Sequence, residues 1–213
     1  MKEENPITQN LLREARRPAR EIRATYDADT IRVYQAYRDA IADSALLTGR
    51  FVSPPFSMSR MTWIKPSFLW MMYRAGWGLK DAGQTRVLAI DIRREGFEWA
   101  LAHSCLSHAP EGMGAGEWIA LKARTPVRIQ WDPERDLSLQ PLEHRSVQVG
   151  LSGEAAYRYV HEWTCRITDI TAEAHAIHAL VAAGDIQAAT ARLPRETAYP
   201  LAPALAAQLG MKD

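Results

Sequence analysis

Apolar and polar residues alternate with a period of two at several places along the chain, and that period marks β-strands. Thr30 to Tyr37, TIRVYQAY, sets Ile31, Val33 and Gln35 on one face and Arg32, Tyr34 and Ala36 on the other, with the β-branched and aromatic residues that suit a pleated surface. Arg86 to Ile92, RVLAIDI, opposes Val87, Ala89 and Asp91 to Leu88, Ile90 and Ile92, so apolar residues on both faces predict a buried strand. Val127 to Trp131, VRIQW, predicts a short strand ended by Asp132 and Pro133, and Ser146 to Leu151, SVQVGL, predicts another.

Elsewhere the spacing is helical. Asp39 is placed to cap a helix through Ala40, Ile41, Ala42, Ala45 and Leu46 that stops at Gly49. Pro54 and Pro55 make Phe51 to Phe56 a loop, and the glycines from His108 to Gly116 predict a mobile one. Glu95 to His103 adds one or two turns, and Ser152 opens a helix, Gly153 to Trp163, that buries Tyr159, Val160 and Trp163 on one stripe. After TDIT, alanine-rich helices are predicted from His175 to Ala183 and from Asp185 to Leu193, separated by Gly184. Strands mixed with helices and followed by a helical end predict one α+β domain, a small mixed or antiparallel sheet with flanking helices. Its parts are a charged segment 1–24, a core 25–171, and a helical tail 172–213 packed on that core.

The segment Arg60 to Trp77, RMTWIKPSFLWMMYRAGW, departs from this ordinary pattern by setting Arg60, Lys65 and Arg74 among aromatics and methionines. RMTWIK reads as extended, because Pro66 disfavours the α region for Lys65, and Pro66 suits the first turn of a helix that Gly76 and Gly78 end. Phe68, Leu69, Met71, Met72 and Tyr73 are too many apolar positions for a helix with one wet face. Two readings stand: a core helix with a capping arginine, which composition alone favours, or a pocket over this helix faced by Arg60, Thr62 and Lys65.

Composition narrows the function classes. With 213 residues, 47% hydrophobic and 24% charged, the chain has room for a sizeable core, and a net charge of +1 gives no global attraction to nucleic acid or membrane. No apolar run reaches a membrane-spanning length, and MKEENPITQNLLREARRP lacks the apolar stretch of a secretory signal. Cys105 and Cys165 form no CxxC, which fits a reducing compartment, so the expected location is cytoplasmic. His103 with His108 and His175 with His178 lack zinc-motif partners, and no metal is expected. The arginines 13, 16, 17, 20 and 23 read as a solvated helical face before they read as a site for an anionic partner.

The motifs of familiar enzymes are absent: there is no GxGxxG after a strand, no GxxxxGK[ST], no GxSxG and no HExxH. Asp132, Glu134 and Asp136 alternate with Pro133 and Arg135 and read as a solvated turn. What remains is a set without a motif: Gln35 and Tyr37 on the first strand, Arg60, Thr62, Trp63 and Lys65 before the signature helix, and Arg145 with Gln148 on the late strand. Polar residues on strands flanked by aromatics and cations suit a nucleotide, with rings on the base and cations on the phosphate, and suit an internal hydrogen-bond network equally well.

The strings VYQAYR, RFVSPPFSMSRMTWIKPSFLWMMYRAGWG, RVLAIDIRREGFEWAL, PVRIQWDPERDL and RSVQVGLSGEA resemble the family catalogued as domain of unknown function 4291, over roughly residues 20–200. The order of elements is also remotely similar to ADP-ribosyltransferase-like domains. That likeness implies an enzyme binding NAD as substrate and cleaving its nicotinamide–ribose bond, with a protein, nucleic acid or small molecule as acceptor. It implies catalytic positions near Gln35, Thr62 or Ser67, and Gln148, with Arg60 or Lys65 on the pyrophosphate, Trp63 or Tyr37 on a ring, and Ser67 and Arg145 also at the cofactor. Gln148 stands where the superfamily has a Glu, so chemistry there turns on a neighbouring carboxylate such as Glu154 or Glu143. The alternative is a non-catalytic nucleotide- or RNA-binding protein, and a third reading is a scaffold that dimerises through the C-terminal helices.

Overall fold

The computed structural model describes residues 18–109 and 112–211. The arginines 13, 16 and 17 and most of the predicted charged segment lie outside those residues. In chain order the strands are β1 (Arg23–Ala24), β2 (Thr30–Tyr37), β3 (Thr62–Ile64), β4 (Arg86–Arg93), β5 (Ser104–Leu106), β6 (Val127–Arg135), β7 (Pro141–Leu151), β8 (Thr164–Asp169) and β9 (Thr197–Ala198). The helices are α1 (Asp39–Thr48), α2 (Phe68–Ala75), α3 (Arg94–Ala102), α4 (Ala115–Arg124), α5 (Glu154–Arg158), α6 (Thr171–Ala182), α7 (Ile186–Arg192) and α8 (Pro203–Gln208). This is a single α+β domain with helices at its C-terminal end.

Two sheets carry the architecture. One has the order β2-β4-β8, with β2 and β4 antiparallel from Thr30 opposite Arg93 to Tyr37 opposite Arg86. The other has the order β3-β7-β6-β5 and is antiparallel except where β5 runs parallel to β6. The period-two pattern explains their burial. Ile31 and Val33 of β2 join Leu88, Ile90 and Ile92 of β4 in the main core, together with Val127, Ile129, Val147, Val149 and Leu151 of the second sheet. The opposite face of the first sheet, Tyr34, Val87 and Ala89, packs on Phe68, Met71, Met72 and Ala75 of α2 and on Ala174 and Ile177 of α6.

The sheets meet at one rung. Tyr34 N donates to Lys65 O at 2.7 Å and Lys65 N to Tyr34 O at 3.3 Å. Away from this rung β3 pairs with β7 and not with β2, and side chains span the gap between β2 and β3.

Several boundaries differ from the sequence expectation. Asp39 is the first helical residue of α1 rather than its cap, and its carboxylate lies 3.7 Å from Arg86. Ser67 caps α2 by accepting from Trp70 N at 3.1 Å, so the helix begins after Pro66. Its end is as expected at Gly76, whose φ of 56° is the left-handed conformation a glycine takes readily. Gly116, placed in a loop by the sequence pattern, lies in α4, a helix with no buried residue. β6 does not stop at Asp132 and Pro133 but runs to Arg135 through a register shift, because Pro133 falls at that irregularity. Of the TDIT segment, Thr168 and Asp169 end β8 and Thr171 already opens α6, and the helical tail includes β9, which pairs with β1. That tail is tied to the core by Trp131 Nε1, which donates to Leu209 O at 2.9 Å.

Candidate functional site

Where β2 and β3 part, a cleft of about 830 Å³ opens. Its residues come from both strands, from α1, the loop before β3, α2, the turn at Asp81, and the paired centres of β6 and β7. The sequence-predicted residues Gln35, Tyr37, Arg60, Thr62, Trp63, Lys65 and Gln148 all line it. Ser67 and Arg145 do not. Ser67 is occupied as the cap of α2, beside the buried carboxylate of Glu134, and Arg145 donates to the Trp131 carbonyl at 3.1 Å.

The gap between the strands is closed by a buried network. Gln35 Nε2 donates to Thr62 Oγ1 at 2.7 Å and to Trp63 O at 3.1 Å, while Tyr159 OH donates to Gln35 Oε1 at 2.7 Å. The hydroxyls of Tyr37 and Thr62 share a further bond at 3.0 Å. Burial pushes the phenols of Tyr37 and Tyr159 up, so both remain protonated, and Tyr159 is the donor to Gln35. Gln35 is therefore committed to orienting Thr62, since both amide hydrogens are in use. Tyr159→Phe would leave Gln35 Oε1 buried without a donor, and the expected loss of stability is about 1–3 kcal/mol in a urea melt. A loss below roughly 0.5 kcal/mol would mean that water replaces the hydroxyl.

Trp63 and Met61 lie against β7 because Gly150 is opposite Trp63 in the ladder. A Cβ on Gly150 would stand 2.7 Å from Met61 Sδ and 3.0 Å from the Trp63 ring. The indole thus has a fixed seat at the edge of the cleft.

On the far side, strand register creates a group the sequence pattern did not foresee. Gln130 of β6 is paired with Gln148 of β7, and Asp132 follows on the same face. Asp132 accepts from Gln130 Nε2 at 3.0 Å and from Gln148 Nε2 at 2.8 Å. Glu154, considered as a substitute carboxylate, is instead paired with Arg158 at 3.0 Å, and neither it nor Glu143 lines the cleft.

The charge of the cleft is one-sided. Arg38, Arg60, Lys65 and Arg74 line it against a single carboxylate, Asp81. Asp81 is engaged by Gly83 N and Gln84 Nε2. The side chains of Arg38, Arg60 and Arg74 make no hydrogen bond or ion pair to any described residue. Lys65 is 5% exposed and its Nζ donates to Trp63 O at 3.1 Å, with the Trp70 ring 5.8 Å away. Burial lowers its pKa to about 7, the Arg74 charge adds to that, and Asp132 opposes it. Among the described residues no group of His, Cys, Asp and Glu comes together that suits a metal ion, and no helix is long and apolar enough to cross a membrane.

Arg38, Arg74 and Gln130 line the cleft although the sequence reading did not place them in the site, and Asp132 and Tyr159, outside its lining, hold Gln130, Gln148 and Gln35. The alternation in VRIQW does put Gln130 opposite the apolar face, but only the register with β7 brings it to Gln148. A family model described as "Domain of unknown function (DUF4291)" matches residues 21–199. No curated protein matches the chain.

Proposed function

The chain belongs to the DUF4291 family, whose description names no activity, and from the cleft we propose that it binds a nucleotide, with NAD as the ligand and cleavage of the nicotinamide–ribose bond as the reaction. The observation that carries this reading is the group of unpartnered guanidiniums in a cleft that also holds an indole and several carboxamides. An arginine kept from carboxylates on a concave surface is ready for a phosphate, which it meets through paired N–H donors. Arg60 and Arg74 take the pyrophosphate, Trp63 packs on a ring, and Gln130 and Gln148 meet the ribose hydroxyls.

Departure of nicotinamide leaves positive charge on the ribose, and the barrier falls if fixed negative charge already faces it. The negative charge tied to Gln148 is that of Asp132, which does not itself line the cleft and acts through the carboxamides it holds. By holding both Nε2 groups it leaves the Oε1 atoms of Gln130 and Gln148 directed to other donors. The acceptor is a protein, a nucleic acid or a small molecule. A non-catalytic nucleotide-binding protein is the second reading, favoured by the full engagement of Gln35 in internal bonds.

The test is a thermal-shift titration with NAD, ADP-ribose and ATP, followed by an assay of nicotinamide release. A ligand at a hundred times its dissociation constant adds about 2.7 kcal/mol of stability. Stabilisation with release supports the transferase reading, stabilisation without release supports the binding protein, and no stabilisation by any of the three rejects both. Arg60 is exposed and unpartnered, so Arg60→Ala is expected to leave the unliganded stability within about 0.5 kcal/mol. Its nucleotide affinity should fall roughly 10- to 100-fold, the worth of one charge-assisted hydrogen bond. A large fall in unliganded stability would instead make Arg60 a structural residue.

A further inference from the structure

We propose that Lys65 is a reactive amine, and that the cleft takes small phosphorylated aldehydes onto it as imines. This rests on the anion-binding half of the reading above and not on cleavage of NAD.

The geometry isolates the amine. Lys65 follows β3 directly, where the backbone rung to Tyr34 fixes its position, and its side chain enters the cleft with one acceptor, the Trp63 carbonyl. No carboxylate among the described residues lies within ion-pair distance of Nζ, and the Trp70 ring offers only a distant π face. The charged groups that act on it are Arg74 of α2, which resists its protonation, and Asp132 of β6, which favours it. A buried amine with a cation for a neighbour gives up its proton near neutral pH, and the neutral form carries the lone pair that attacks carbonyl carbon. The other described lysines are placed differently: Lys80 is exposed, and Lys122 lies over the Trp118 ring at 4.3 Å, outside the cleft.

Arg60 and Arg74 give the site its choice of aldehyde. With a phosphate held by guanidiniums, the aldehyde is delivered to Nζ at high effective concentration. The lone pair of Nζ bonds to the carbonyl carbon, the carbonyl π pair moves to oxygen, and one N–H proton passes from the nitrogen to that oxygen. The hydroxyl then leaves as water with the second N–H proton while the nitrogen pair forms the C=N bond. No oxidant or reductant enters, and water reverses the step. ADP-ribose belongs to this class through the ring-opened aldehyde of its terminal ribose. NAD does not, because that carbon is held in the glycosidic bond.

The experiment uses the whole chain with pyridoxal 5′-phosphate at pH 7, trapping by borohydride and mapping of the modified lysine by mass spectrometry. Expected is a pyridoxyl group on Lys65 at concentrations that leave Lys80 and Lys122 unmodified. Pyridoxal without its phosphate should label Lys65 about tenfold less. Lys65→Met removes the mark, and because the wild-type mapping stands alone the conclusion does not depend on that variant folding. Modification of Lys80 and Lys122 with Lys65 untouched overturns the inference, as does equal labelling by the unphosphorylated aldehyde. Excess NAD separates the two proposals. Labelling of Lys65 that NAD does not suppress keeps the imine and rejects NAD as the ligand, whereas stabilisation by NAD without labelling keeps the nucleotide site and rejects the imine.

Discussion

Replacing Lys65 by Met is expected to raise the stability of the unliganded protein, by an amount on the order of 3 to 5 kcal/mol at pH 6. Burial has lowered the Lys65 pKa from 10.5 to about 7. Between those values the unfolded chain holds a proton that the folded one has released, so the wild-type stability climbs as pH rises from 7 to 10.5. Below pH 7 both states are charged and the folded state carries the whole cost of a desolvated ammonium. Met has no such cost, so the advantage of the variant is greatest below pH 7 and vanishes above 10.5. Trp63 O loses the Lys65 donor but keeps that of Gln35, which limits the loss on the other side. Urea melts of both proteins at pH 6, 8 and 10 decide it. Equal stability at pH 6 would mean that the ammonium reaches water.

Gly96→Ala carries the largest expected loss. In an ordinary helix the change gains up to about 1 kcal/mol. Here the new Cβ would stand 2.3 Å from Trp163 Cγ and 2.5 Å from Cδ1, and Trp163 is 4% exposed. The ring is a rigid plate, tilted against Trp99 at 5.5 Å, and cannot turn aside as a flexible chain would. A loss of about 3 kcal/mol is expected. Its consequence extends to the cleft, because Trp163 closes the π-helical turn that begins at Tyr159, the donor to Gln35. Denaturation curves and the nucleotide thermal shift are the measurements, and a gain in stability would refute the close approach.

The readable parts of the chain were those whose environment repeats with its own period. β2 and β4 lie between two packed layers, and their alternating residues divide between the main core and the smaller cluster under α2. The parts that escaped have no such record. α4 buries no residue and so lacks a complete apolar stripe, β5 has three residues, and the residues of β8 are exposed or half-buried. At the site, seven of the nine residues chosen from the sequence line one cleft, while Ser67 and Arg145 were drawn off by a helix cap and a backbone carbonyl.

The sequence by itself determined which strand faces are apolar, that Arg60, Lys65 and Arg74 stand close along the chain among aromatics, and that Gln148 is no carboxylate. Only the tertiary structure decided that Asp132 holds Gln148 and Gln130 together, that the cleft cations meet almost no carboxylate, and that Lys65 gives up its proton near neutral pH. The reason is physical. A period along the chain records how each residue meets its own layer, but strand register and the cost of a charge depend on what distant segments bring beside it, and no local pattern carries that.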